Sequence, residues 1–219
     1  MLPPLPELAA RLSAALLSDV LDDLGLRGQA LRPFVRPLDE GRALCGFART
    51  GRYEPVDAVE PGRNPYALEM DLIDSLQPGE VAVLACEGPT ERIAPWGELL
   101  STAARARGAA GCLTDGLVRD VRQIRAMGFP VFAGGIGPLD TKGRAEMVEA
   151  DRPVTIAGVR IEPGDLVFGD VDGCVSVPSR VAAEAVARAL AKASAEDGTR
   201  DALLAGESLR AVFDRFGVL

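Results

Sequence analysis

The sequence contains no histidine, and its only lysines are Lys142 and Lys192. The missing imidazole excludes His-based acid–base catalysis, His metal ligands and every Ser-His or Cys-His nucleophile pair. A Schiff-base enzyme needs a desolvated lysine. Lys142 falls in the polar stretch DTKGR and Lys192 in an alanine-rich segment, and neither suits that role. The four cysteines, Cys45, Cys86, Cys112 and Cys174, form no CxxC, so the spacing supports neither a zinc ribbon nor a thioredoxin-like motif. Three lie in apolar, strand-like runs and read as buried free thiols of a reducing compartment. No apolar run approaches the ~18 residues of a membrane span. The segment MLPPLPELAARLSAALLSDVLDD has no basic leader and is interrupted by Glu7, Arg11 and Asp19, so it is not read as a signal peptide. A cytoplasmic protein is the expectation. A formal net charge of −8 argues against a nucleic-acid-binding surface.

What is present describes one α/β domain over residues 1–219, 47% of them apolar. Leu8, Leu12, Ala15, Leu16, Val20 and Leu24 recur at helical spacing, predicting one helix over 7–24 closed by Gly25. Residues 45–55 read as a strand, and 56–76 as a Pro/Gly/Asn loop and then a helix. From about 80 to 135 the pattern is strand, helix (95–108), strand (109–116), helix (118–128), strand (129–135). That order implies parallel pairing with right-handed crossovers. In the 95–108 helix, Trp96, Leu99, Leu100, Ala103 and Ala104 are assigned to the inner side. Residues 152–178 read as short strands with turns at Ala157-Gly158, Pro163-Gly164 and Asp172-Gly173. A long helix over 179–197 and a short terminal helical piece follow. Asp170-Val171-Asp172-Gly173 lacks the later ligands of a calcium loop and reads as a hairpin turn. AGGIGP (133–138) is not a dinucleotide-binding fingerprint.

In α/β sheets, ligands gather where strand carboxyl ends meet helix starts. APWGELL and TDGLVRD are two such junctions, with Glu98 and Asp120 each assigned to a helix first turn. Singly, each acid serves the helix dipole without any ligand, and Asp115 serves as a turn or cap residue. Arg119 is the exception, because a cation in a first turn is unfavourable. A local Asp115–Arg119 pair and an anionic substrate both explain it. If the junctions adjoin, Glu98, Arg119 and Asp120 surround one point. Two carboxylates then suit a hard cation such as Mg²⁺ or Mn²⁺, and the arginine suits a developing oxyanion.

The stretch WGELLSTAARARGAAGCLTDGLVRDVRQIRAMGFPVFAGGIGP resembles the core of the RraA-like family, which includes the 4-hydroxy-4-methyl-2-oxoglutarate and 4-carboxy-4-hydroxy-2-oxoadipate aldolases. QPGEVAVLACEG, PLDTKGR and PGDLVFGDVDGCVSVP extend the resemblance over nearly the whole chain. The family's acid, twenty intervening residues and Arg-Asp correspond to Glu98 and Arg119-Asp120, with Glu98 where the aldolases carry Asp. The resemblance implies a layered α/β/β sandwich of the swivelling β/β/α type with central βαβ units. It implies a class II, metal-dependent pyruvate aldolase with oxaloacetate decarboxylase side activity. Asp120 would bind Mg²⁺ (or Mn²⁺) directly and Glu98 through water. Backbone N–H groups of Gly97, Glu98, Leu99 and Leu100 would hold the substrate carboxylate, and Arg119 would stabilise the enolate. A metal-ordered water would act as base on the C4 hydroxyl. The family also implies a homotrimer or hexamer with the site at the subunit interface, where Glu196 of a neighbouring copy takes part. A solvated helix face explains Glu196 equally. Ser18-Asp19 matches a similar pair on the family's first helix. Two other readings stand beside this one. The first is a non-catalytic regulator binding ribonuclease E; the second is an enzyme acting on another oxo acid.

Overall fold

Residues 80–85, Glu-Val-Ala-Val-Leu-Ala, show how the sheet is built. Val81, Val83 and Ala85 pack into one apolar cluster and Ala82 and Leu84 into another, as side chains alternate across a strand. A strand buried on both faces belongs inside a sheet with a layer on each side.

The computed structural model describes residues 2–217. The chain opens with α1 (Leu5–Arg11), α2 (Ala14–Asp23), β1 (Arg36–Pro37) and the long β2 (Leu44–Pro55). Next come α3 (Ala67–Asp74), β3 (Glu80–Ala85), α4 (Glu98–Ala106), β4 (Gly111–Thr114), β5 (Leu117–Val118), α5 (Val121–Met127) and β6 (Val131–Ala133). The remaining strands are β7 (Gly135–Ile136), β8 (Ala145–Ala150), β9 (Val154–Ile156), β10 (Val159–Ile161), β11 (Leu166–Asp170) and β12 (Gly173–Val177). Helices α6 (Ala182–Leu204) and α7 (Leu209–Phe216) follow.

An eight-stranded mixed sheet runs β1-β6-β4-β3-β2-β11-β12, with β8 also on β2. Its centre, β2, β3, β4 and β6, is parallel, as the strand–helix alternation predicts. Strand β2 pairs β3 along one edge. On the other edge it pairs β11 through Leu44–Phe47 and β8 through Gly51–Pro55, with a register shift at Arg52/Tyr53. Helices α3, α4 and α5 cover one end of a sheet face through Leu72, Ile73, Ala104 and Ile124. Helices α1, α2 and α6 pack against Leu166, Phe168, Val175 and Val177 of β11 and β12. The β9–β10 hairpin covers the side carrying Val81, Val83 and Val167. The result is the expected layered α/β/β arrangement. All four cysteines are free, and Cys45, Cys112 and Cys174 are buried. No described helix is long and apolar enough to cross a membrane.

Several details differ from the sequence pattern, among them that the helix expected over 179–197 runs over Ala182–Leu204 and that Trp96 precedes the helix to which the pattern assigns it. The periodicity predicts one helix over 7–24; the structure has two. Ser13 is extended (φ −128°, ψ 160°), and its hydroxyl caps α2 by accepting from the N–H of Leu16 at 3.1 Å. Strand β8 has no counterpart in the sequence reading, because AEMVEA carries two acids that mask its alternation. Leu99 points outward, not inward, and is 76% exposed. Helix α5 begins at Val121, so Arg119 lies before the helix and Asp120 in its N-cap position.

Candidate active site

The crossovers that follow the four parallel strands converge. After β2 come Tyr66 and Glu69, after β3 Trp96 to Leu100, after β4 Arg119 and Asp120, and after β6 Asp140 and Thr141. All except Glu98 line a cavity of about 280 Å³, together with Met70, Ala94 and Pro95. This is where an open α/β sheet collects its ligands.

Two backbone ties hold the β3 and β4 crossovers together. The N–H of Arg119 donates to the carbonyl of Trp96 at 3.0 Å, and Trp96 and Val118 form a parallel bridge. Trp96 anchors that junction. Its ring is buried and stacks on Phe129 with centroids 6.3 Å apart, and its indole N–H donates to Ser101 Oγ at 2.7 Å. The Ser101 hydroxyl then donates to the carbonyl of Gly97 at 2.9 Å. The open end of α4 is thereby fixed against Arg119 and Asp120.

Asp120 adopts a left-handed conformation (φ 57°, ψ 33°), uncommon for a residue with a side chain, and does not cap α5. One carboxylate oxygen accepts instead from the N–H of Glu98 at 3.2 Å. The N–H groups of Leu99 and Leu100, in the first turn of α4, have no intrahelical acceptor. The Glu98 side chain leans along its own helix and accepts from the Thr102 hydroxyl at 2.9 Å, so its backbone, not its carboxylate, meets Asp120. Gly97 is required by proximity. A Cβ there would lie 2.8 Å from Asp120 Oδ2 and 3.2 Å from Arg119 Cγ, while its backbone (φ −154°) suits any residue. Gly97→Ala is therefore expected to fold normally and lose roughly 100-fold in turnover by displacing Asp120 and Arg119. Steady-state kinetics beside a thermal melt would check this.

Arg119 sits between acids. Its guanidinium is 3.8 Å from Asp120 and 3.7 Å from Asp140. The Tyr66 hydroxyl donates to Asp140 at 2.6 Å. Burial opposes ionisation of Asp140, but Tyr66, Arg119 and the N–H groups of Thr141 and Lys142 outweigh it and hold its carboxyl below the usual range. Burial, then the bond to Asp140, pushes the Tyr66 phenol up to about 12. Glu69 is buried and accepts from the Tyr53 hydroxyl at 2.7 Å. Burial pushes its carboxyl up to about 7.

The anion that faces Arg119 is thus Asp120 and Asp140, not Asp115. Asp115 is buried, and its carboxylate accepts from the N–H groups of Cys86 at 2.7 Å and Gly88 at 2.9 Å. It staples the β3 and β4 crossovers. Asp19 pairs with Lys192, tying α2 to α6 away from the cavity. Asp170 accepts from the N–H of Asp172 in the expected hairpin turn. Glu196 stands in a separate groove with Arg11, Ser13, Asp197 and Arg200. Among the described residues no three His, Cys, Asp or Glu side chains gather to hold a metal ion. The donor chemistry still fits a hard cation that keeps several waters, because the Asp120 side chain is 41% exposed and accepts one hydrogen bond among the described residues.

The sequence reading missed Tyr66, Glu69 and Asp140. It applied the strand-end rule to two junctions; extending it to β2 and β6 would have pointed to those crossovers, though not to these residues within them.

The family model RraA-like, described as Aldolase/RraA, matches residues 14–176. Protein DlpA of Legionella pneumophila is 31% identical over 90% of this chain, and this chain spans only 31% of its length. A Halalkalibacterium halodurans protein, provisionally named 4-hydroxy-4-methyl-2-oxoglutarate aldolase, is 31% identical over 84% of this chain and 81% of its own. The solved structure of Streptomyces coelicolor RraAS2, an unusual member of the RNase ES inhibitor RraA protein family, has a TM-score of 0.78 at 30% identity. It covers 91% of this chain and 98% of that one. With the strand-end cavity, the Arg-Asp pair clamped to the start of α4 and a family match over most of its length, the chain belongs to the RraA-like family.

Proposed function

We propose that this chain is a divalent-metal-dependent class II lyase that cleaves 2-oxo acids of the 4-hydroxy-4-methyl-2-oxoglutarate type to pyruvate, with oxaloacetate decarboxylation alongside. The observation that carries this is the junction of Arg119 and Asp120 with the open end of α4 inside one cavity. Asp120 would hold Mg²⁺ or Mn²⁺ directly and Glu98 through water once its side chain turns from Thr102 toward the cavity, with Glu196 brought by a neighbouring copy in a trimer or hexamer. The cation, when bound, supplies charge that polarises the substrate's 2-oxo group. The N–H groups of Leu99 and Leu100 orient the substrate carboxylate. Arg119 faces the oxygen on which charge develops as the carbon–carbon bond breaks, and Asp140 and Tyr66 hold the guanidinium in place. Trp96, Pro95 and Leu100 exclude water from one wall. Among the described residues no lysine lines the cavity, which argues against Schiff-base chemistry.

The protein is expected to release pyruvate from 4-hydroxy-4-methyl-2-oxoglutarate and from oxaloacetate with Mg²⁺. EDTA should abolish release and excess Mg²⁺ restore it; a coupled pyruvate assay reads both. Release unaffected by EDTA would remove the metal from the mechanism. No pyruvate from either substrate would favour the second reading, a protein-binding regulator of ribonuclease E, which the likeness to RraAS2 supports.

A further inference from the structure

Glu69 is unexplained by the chemistry above. It is 7% exposed and lines the cavity from α3. Its only hydrogen bond among the described residues is from Tyr53 to Oε2, so Oε1 is unpartnered. Oε1 is not enclosed by protein, and an open oxygen on a cavity wall is placed to exchange a proton with whatever fills that cavity. The charged and titratable groups facing it are Tyr53 from β2, Asp140 from the loop after β7, Arg119 from the crossover after β4, Tyr66 before α3 and Cys86 after β3.

We infer that Glu69 is the proton donor that converts the enolate product to pyruvate, an inference that rests on the lyase reading. When the C3–C4 bond breaks, its electron pair stays with C3 as the enolate, and the C4 hydroxyl gives up its proton to a water as the new carbonyl forms. C3 then takes the proton from Glu69 Oε1. This leaves a carboxylate that accepts from Tyr53 and regains its proton from solvent. Run backwards, the Glu69 carboxylate removes a methyl proton from pyruvate. A carboxyl pushed up to about 7 by burial is suited to both directions near neutral pH.

The test is exchange of the pyruvate methyl protons in D₂O with Mg²⁺, followed by proton NMR across pH, beside cleavage of oxaloacetate and 4-hydroxy-4-methyl-2-oxoglutarate. Wild type is expected to exchange, with a limb rising near pH 7. Glu69→Gln is expected to lose roughly 100-fold in exchange and to lose the limb, while substrate consumption falls by less than about 10-fold. Exchange at the wild-type rate in Glu69→Gln would overturn the assignment. If that variant does not fold, Tyr53→Phe decides. Losing a hydrogen bond that favours the carboxylate should move the limb to higher pH, and an unmoved limb overturns the assignment. Wild-type cleavage without exchange would overturn the role of Glu69 alone. Neither cleavage nor exchange would remove the lyase reading and this inference with it.

Discussion

Asp120→Asn is expected to abolish pyruvate release, a loss of roughly 10³-fold or more, while the melting temperature stays within about 2 °C of wild type. The side chain is 41% exposed and makes a single 3.2 Å hydrogen bond and a long ion pair, which contribute little to stability. Asparagine tolerates the left-handed backbone that Asp120 adopts, whereas alanine would add about 1 kcal/mol of strain. The asparagine variant therefore separates chemistry from folding better than the alanine variant. Arg119→Ala should lose about 10²–10³-fold by removing the only cation lining the cavity among the described residues. Circular dichroism melts beside the pyruvate assay check both, and near-wild-type turnover in either variant would rule out this mechanism.

The largest stability loss is expected at Asp115. Asp115→Ala removes the acceptor, itself buried, for two close and partly buried backbone N–H groups, those of Cys86 and Gly88. Leaving such donors unpaired costs about 1–3 kcal/mol each, so a total near 3 kcal/mol and a melting point lower by roughly 10 °C are expected. Burial already pushes the Asp115 carboxyl up, against the pull of those N–H groups. Asp115→Asn keeps one acceptor oxygen and should fall between the two. A melting point unchanged in Asp115→Ala would show that the loops are held by packing alone.

The central βαβ pattern was legible because Val81 to Ala85 and Gly111 to Thr114 are continuous apolar runs bounded by turns. The junction of Glu98 with Arg119-Asp120 was legible because two strand–helix boundaries in succession must sit side by side in a parallel sheet. What escaped depends on contacts distant in sequence. Tyr53 and Glu69 meet only because β2 and α3 pack face to face, and neither residue type signals that partnership. Asp140 follows β7 in a polar loop that looks like an ordinary turn. The sequence pattern put Arg119 inside a helix, because Val118 and Val121 continue an apolar spacing across a break that Asp120 makes with its left-handed backbone.

The double pairing along one edge of β2 also shapes how the protein is made. Gly46 and Val167 are partners in the finished sheet, as are Glu54 and Glu146. During synthesis the edge of the longest strand therefore waits for about 90 to 120 further residues to emerge, roughly 5–25 s at ribosomal speed. Over that interval the nascent chain presents an unpaired row of backbone donors and acceptors beside Leu44 and Ala48, a template for aggregation. Shielding that edge until β8 and β11 arrive is thus one demand that this topology places on folding in a cell.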